Sequence, residues 1–275
     1  MNKEDRILSA ILRDKFRLCE KRFSPTWTDF LTPAEAAEAE DICRALCAGT
    51  GVEFSLEGGW EDAERRICLF KPKDLWNEEE SFPKGSAADG KSAGSGGTLD
   101  PDHPICVLRI NIPKGSPKLS HRDYLGALLG LGIERSVTGD ILVREDGADA
   151  VVLSDIADYL AQNLVSAGRA NVSCEVLDVS HLITGVQQTK EIRDTVASLR
   201  LDSICSSAFR TARGKAQDAI KAGLVSVNGR QCLKPDTELK EGDRISCRGK
   251  GRAVLAEVGG RTKKDRTAVL IQLSL

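Results

Sequence analysis

Between Leu201 and Arg252 the local signals leave the chain little freedom of fold. Leu201, Ile204, Cys205, Ala208 and Phe209 recur at i, i+3, i+4, i+7 and i+8, the spacing of one apolar helix face. A second helix follows, with Ala212, Ala216, Ala219 and Ile220 on its packing side. Arg213, Gln217 and Lys221 fall on another side at i, i+4, i+8, a face expected to be free for phosphate. Gly223 stands where a helix end wants a left-handed residue, and Asn228-Gly229 is the pair a type I′ hairpin requires. Pro235, Leu239 and Gly242-Asp243 then punctuate a turn before the strand Arg244-Ile-Ser-Cys-Arg248, which runs into the basic loop Arg248-Gly-Lys-Gly-Arg252.

This helix, helix, strand, turn, strand order resembles the αL RNA-binding domain first known from the small-subunit ribosomal protein S-four. The matching residues are Arg200-Leu-Asp202 at the start of the first helix, Arg213 and Lys215 at the start of the second, and Ile220, Gly223, Val225, Val227-Asn-Gly229 and Gly242-Asp243. Where that family usually has Ser before the helix-two Arg, this chain has Ala212, so Thr211 is expected to cap in its place. Phe209 is the one aromatic residue from Leu199 onward and its helical position assigns it to the core. Base stacking is therefore scarce, and recognition is expected to rest on cations reading the phosphates and shape of a folded RNA. The expected contact set is Arg200, Arg210, Arg213, Lys215, Gln217, Lys221 and Asn228, with a second basic rim at Arg248, Lys250, Arg252, Lys263 and Lys264. Arg213 and Lys215 gain from a helix N-terminus, where the dipole and open N–H groups favour anions.

The charge distribution points the same way. The chain carries a net −2, yet residues 200–275 hold 16 Lys and Arg against 8 Asp and Glu, a basic footprint that the acidic remainder conceals. No run of about 18 apolar residues exists and Met1-Asn-Lys-Glu-Asp-Arg lacks the apolar stretch of a signal peptide, so a cytoplasmic protein is expected. Nine cysteines without a CxxC pair read as reduced thiols rather than disulfides or zinc ligands.

Taken from the start, the chain reads as α+β in three parts. Residues 1–58 are expected to form a helical N-terminal unit. Leu8, Ile11, Leu12, Phe16 and Cys19 stripe one helix, and Thr32-Pro-Ala-Glu35 is a capping box for another, closed by Gly49. Residues 59–182 follow as a middle domain interrupted at 77–103, where the span from Gly85 to Thr98 is built from small and polar residues and is expected to be a disordered surface loop. Ile105 to Ile112, the capping box Ser120-His-Arg-Asp123 with its helix, Ile141 to Val143, Ala150 to Leu153, a helix capped by Ser154 and stopped by Gly168, and Val172 to Leu177 give the order βαββαβ. That is the ferredoxin-like arrangement shared by RNA-recognition-motif domains. Its first and third strands lack aromatic residues, so bases are not expected to stack on this sheet, and Lys118, Arg122 and Arg135 are its candidate RNA contacts. Residues 195–275 form the αL domain.

Several separated motifs carry a closer resemblance: Gly58-Gly-Trp-Glu-Asp-Ala-Glu-Arg-Arg66, the stretch Leu119 to Ile133, Gly139-Asp-Ile141, Val196 to Asp202, and Arg248 to Arg252 with Thr262-Lys-Lys-Asp265. Together they resemble the YlmH family of bacterial RNA-binding proteins over nearly the whole chain except the Gly/Ser segment. The resemblance implies association with the large ribosomal subunit, contact with its rRNA and with tRNA, and a part in rescuing stalled ribosomes. A link to cell division is sometimes attached to the family.

Signs of catalysis are sparse. His103, His121 and His181 fit no metal-ligand spacing, and Gly126, Gly130 and Gly132 do not form a GxGxxG after a strand. No cofactor or metal is expected, and a monomer without catalytic activity is the reading adopted. An RNA-modifying enzyme is the rival, because Arg200-Leu-Asp202 resembles the pseudouridine synthase catalytic triplet and αL domains are often joined to such enzymes or to RNA methyltransferases. A protein-docking adaptor in cell division is the other.

Overall fold

A computed structural model describes residues 3–73, 103–184, 189–262 and 265–274. The Gly/Ser segment expected to be disordered, and Lys263 and Lys264, lie outside the described residues. The chain divides into two compact units, Met1–Gly185 and Val186–Leu275.

The first unit begins with α1 (Lys3–Arg22), β1 (Thr26–Trp27), α2 (Pro33–Cys47), β2 (Val52–Glu57) and β3 (Ile67–Pro72). The capping box at Thr32 is formed: the Glu35 backbone N–H donates to Thr32 Oγ1 at 3.3 Å and the Thr32 N–H to Glu35 Oε2 at 2.7 Å. The three strands form an antiparallel sheet in the order β1-β3-β2. β2 and β3 pair along their whole length, so a division at residue 58 falls between two strands of one sheet. Then come β4 (Ile105–Asn111), α3 (His121–Gly130), β5 (Thr138–Val143), β6 (Gly147–Leu153), α4 (Ser154–Asn163), the small hairpin β7 (Ser166–Ala167) and β8 (Ala170–Asn171), and β9 (Ser173–Leu177). Their sheet order is β5-β6-β4-β9, antiparallel throughout, as βαββαβ topology demands.

The apolar runs explain how these layers stack. In Ile67-Cys-Leu-Phe70 all four side chains are fully buried. Cys68 and Phe70 pack with Leu8, Leu12, Phe16 and Cys43 of α1 and α2, while Ile67 and Leu69 face the other way onto Ile105, Val151 and Leu153 of the second sheet, with Phe30 between. On its opposite face that second sheet packs through Cys106, Leu108, Ile110, Ala148, Ala150 and Val152 against Tyr124, Leu128, Ala157 and Leu160 of α3 and α4. A strand covered on both faces reads as a continuous apolar run, which is the pattern of β3, β4 and β6. The layers are therefore helix, sheet, sheet, helix. The face on which an RNA-recognition motif would stack bases is occupied by protein, a stronger reason against stacking than the missing aromatics.

Polar clamps lock this sandwich. Asp149, fully buried on β6, accepts both prongs of Arg109 at 3.0 and 2.9 Å and the Ile183 N–H at 3.0 Å, while Arg109 also donates to His181 O at 2.6 Å. The motifs around Trp60 and Asp140 meet in a second clamp: Asp140 accepts Trp60 Nε1 at 3.3 Å and the N–H groups of Glu64 at 2.7 Å and Arg65 at 3.2 Å. Arg65 and Arg135 both donate to Thr138 O. Arg135, an expected RNA contact, is thus turned inward to hold the β5 start. Two capping details differ from expectation. Ser154 is the first helical residue, its hydroxyl donating to His103 O at 2.7 Å, and α4 ends at Asn163, leaving Gly168 to turn the small hairpin with φ +55°. Gly147 is sterically indispensable, because a Cβ there would lie 1.9 Å from Ile110 O. Gly147→Ala should cost about 1–3 kcal/mol through forced displacement of β4, read as a lowered urea midpoint.

The second unit contains β10 (Thr189–Val196), α5 (Leu201–Ala208), α6 (Arg213–Lys221), β11 (Val225–Val227), β12 (Arg230–Gln231), β13 (Arg244–Cys247), β14 (Gly251–Arg261) and β15 (Thr267–Ser274). The two helices and the β11 to β13 strands match the sequence expectation. β10, β14 and β15 were not anticipated, and they complete a six-stranded antiparallel sheet ordered β10-β15-β14-β13-β11-β12. Leu201, Ile204, Cys205 and Ala208 of α5 and Ala216 and Ile220 of α6 bury against Val225, Ile245, Leu255 and Ile271 of that sheet.

Candidate nucleic-acid interface

The basic residues of the second unit are organised by one acid. Asp202, in the first turn of α5, is completely buried. Its carboxylate accepts Arg213 Nε at 3.1 Å and Nη2 at 3.0 Å, Gln217 Nε2 at 2.7 Å, and the Arg200 fork at 3.3 and 3.4 Å. Burial alone would raise this carboxyl, but the donors from Arg213, Gln217 and Arg200 outweigh it and hold the group well below the usual carboxylate range. The i, i+4 pair Arg213 and Gln217, expected to lie on an open face, is instead the pair that ties α6 to α5. Arg213 remains 48% exposed and Arg200 40%, so each guanidinium is aimed by Asp202 while keeping an edge toward solvent.

Ser203 Oγ also donates to this carboxylate at 3.4 Å, so four side chains surround it. The geometry of Asp202 is that of a structural anchor joining α5 to α6.

Thr211 does not cap α6. The N-cap position is Ala212 and no side chain there accepts from the first turn, while Thr211 offers its carbonyl to Ser206 Oγ at 2.7 Å. Exposed Lys215 follows two residues after Arg213, and Arg210, also exposed, precedes the helix in a left-handed conformation with φ +45°. Arg200, Arg210, Arg213 and Lys215 therefore gather at the N-terminal end of α6.

The other expected contacts divide. Lys221 ends α6, and the Arg248 N–H donates to Leu224 O at 2.9 Å, which brings the Arg248 to Lys250 turn to that end of the helix. With nine residues at a rise of 1.5 Å, the two basic groups stand about 13 Å apart along α6. Arg252 is exposed on β14. Asn228 is engaged at both polar ends, donating to Asp243 Oδ1 at 2.8 Å and accepting the Arg244 N–H at 2.9 Å. With φ +49° it and Gly229 at +79° form the hairpin turn, so its part is to fasten that turn to β13. Lys263 and Lys264 lie outside the described residues. Arg193 on β10 and Arg266, the residue before β15, were not among the expected contacts, because the β10–β15 pairing that places them beside α5 was not expected.

Family models for the RNA-binding domain in YlmH and for the S4 domain match residues 100–181 and 199–245. The "Ribosome-associated protein quality control protein P2" of Bacillus subtilis (strain 168) is 32% identical over 256 residues, covering 93% of this chain and 90% of that protein. The chain belongs to the YlmH family of RNA-binding proteins. Both matched domain types support an RNA-binding role. The solved structure titled "Cell division protein ylmH from Streptococcus pneumoniae" is 21% identical with a TM-score of 0.48, over 66% of this chain and 97% of that one. In this YlmH-family chain the S4 match spans α5, α6, β11 and β12 and reaches the first residues of β13, the segment that holds the Asp202 anchor.

Proposed function

We propose that the second unit docks this protein on structured RNA of the large ribosomal subunit, next to tRNA, and that it serves ribosome quality control in the cytoplasm as a monomer without catalysis of its own. The observation that carries the reading is the Asp202 anchor, which holds two half-exposed arginines beside the uncapped, lysine-bearing start of α6. Open N–H groups, the helix dipole and guanidinium forks favour phosphate at one place. The ribosome-associated Bacillus relative supports the choice of RNA. The first unit then serves to position the molecule, since its sheet is covered on both faces.

Sucrose-gradient co-sedimentation with ribosomal subunits across a salt series tests this. The protein should travel with the large subunit, and its affinity should fall by about 0.7–0.9 log units per log unit of salt for each phosphate engaged, for roughly six to eight phosphates. A flat salt response, or protein remaining at the top at every salt, would refute it.

A further inference from the structure

Beside the α6 start lies a groove of about 610 Å³, bounded by β10, the inner side of α5, the Arg210 to Arg213 link and the start of β15. Four arginines line it: Arg193, Arg210, Arg213 and Arg266. One carboxylate, Asp194, joins them, and it is occupied by Ser207 Oγ at 2.6 Å and the Thr195 N–H at 2.7 Å. Asp202 lies behind Arg213, and Glu191 stands 3.8 Å from Arg193. The groove thus keeps a cationic excess. Its remaining lining is chiefly hydroxyl-bearing, including Ser203, Ser206 and Thr211, with no aromatic residue. That chemistry suits a hydrogen-bond-accepting anion and gives a base nothing to stack on.

We propose that this groove seats backbone phosphate of the bound RNA, so that the interface extends from α6 across α5 to the β10–β15 ladder. The inference rests on the RNA-binding reading above and adds residues that lie outside the S4 match, namely Arg193, Thr195 and Arg266. Arg266 is set for the task by Thr195: Nε donates to Thr195 Oγ1 at 3.1 Å and Nη2 to Thr195 O, which fixes the plane of the guanidinium at the rim. Arg193 is 82% exposed and can swing onto a ligand. Arg210 has no side-chain hydrogen bond among the described residues, and its left-handed backbone directs the chain round the groove's edge.

The test compares two double variants of the full chain, Arg193→Ala with Arg266→Ala and Lys215→Ala with Lys221→Ala, binding deproteinised large-subunit rRNA across a salt series. Circular dichroism checks that each stays folded. The Arg193/Arg266 variant should bind about tenfold more weakly, with a salt slope smaller by about 1.5, as two lost phosphate contacts require. The charge-retaining pair Arg193→Lys and Arg266→Lys should restore most of that slope. If only the lysine variant weakens binding, the groove proposal is overturned and the α6 reading survives. If only the arginine variant does, the groove stands and Lys215 and Lys221 are not contacts. If neither does, or wild type does not bind, both fall.

Discussion

Asp202→Ala should lower the stability of the second unit by about 1–3 kcal/mol, the loss of charge-assisted hydrogen bonds whose arginine partners remain half-exposed to solvent. Arg200, Arg213 and Gln217 would face a void where a carboxylate had gathered them. Hydrogen exchange on the full chain isolates the effect. Amides of α5 and α6 should lose protection while those of β4 and β6, in the other unit, keep theirs. Asp202→Asn should fall between, since it retains an acceptor and loses the charge. Because the folded carboxyl is depressed, its stabilisation is fully present above the unfolded carboxylate range near pH 4 and is lost as pH falls through the folded value. Acid should therefore unlock α5 from α6 only below that range, and the Asn variant should lack this acid-dependent phase. Equal protection of α5 and α6 in wild type and the Ala variant would refute the anchor.

The double variant Arg213→Ala, Lys215→Ala should weaken RNA binding roughly 100-fold, taking about 1–3 kcal/mol for a charged, partly desolvated contact at Arg213 and a smaller share for exposed Lys215. Arg213→Lys is the informative control. It keeps the positive charge, so the salt slope should hardly change, but a lysine cannot offer a planar fork to Asp202 and phosphate together, so affinity should still fall. Gradient sedimentation with large subunits reads both variants, and co-migration of the double variant at wild-type salt tolerance would contradict the assignment.

Much of this architecture could be read in the chain, and the places where reading failed share a cause. The capped helices, the βαββαβ order and the Asn228-Gly229 turn are written in contiguous residues, where spacing and turn chemistry speak locally. β10 is largely polar along Thr-Lys-Glu-Ile-Arg-Asp-Thr-Val and becomes a strand through its partner β15. β14 carries Gly259-Gly260 and irregular register near Glu257, which blurs the alternation that would mark a strand. The site was legible as a set of basic residues, yet not as an arrangement. Arg213 and Gln217 at i, i+4 give the same pattern whether they face solvent or a buried acid. What decides is Asp202, which lies on a different helix and whose burial no spacing reveals. Arg135 and Asn228 show the same limit, since a polar side chain that satisfies groups of its own fold looks in sequence like one that awaits a ligand.

The pairing of β10 with β15 bears on how such a molecule is made. β15 lies between β10 and β14 in the sheet, though it follows both of them in the sequence. During translation α5 and α6 emerge early, over a sheet still missing an interior strand, and β10 waits unpaired until Thr267–Ser274 leaves the ribosome. Closure between distant segments is entropically late in folding. A chain that stalls before those residues would carry the basic helices without the complete sheet beneath them, so the candidate RNA surface is assembled only after Thr267–Ser274 has emerged.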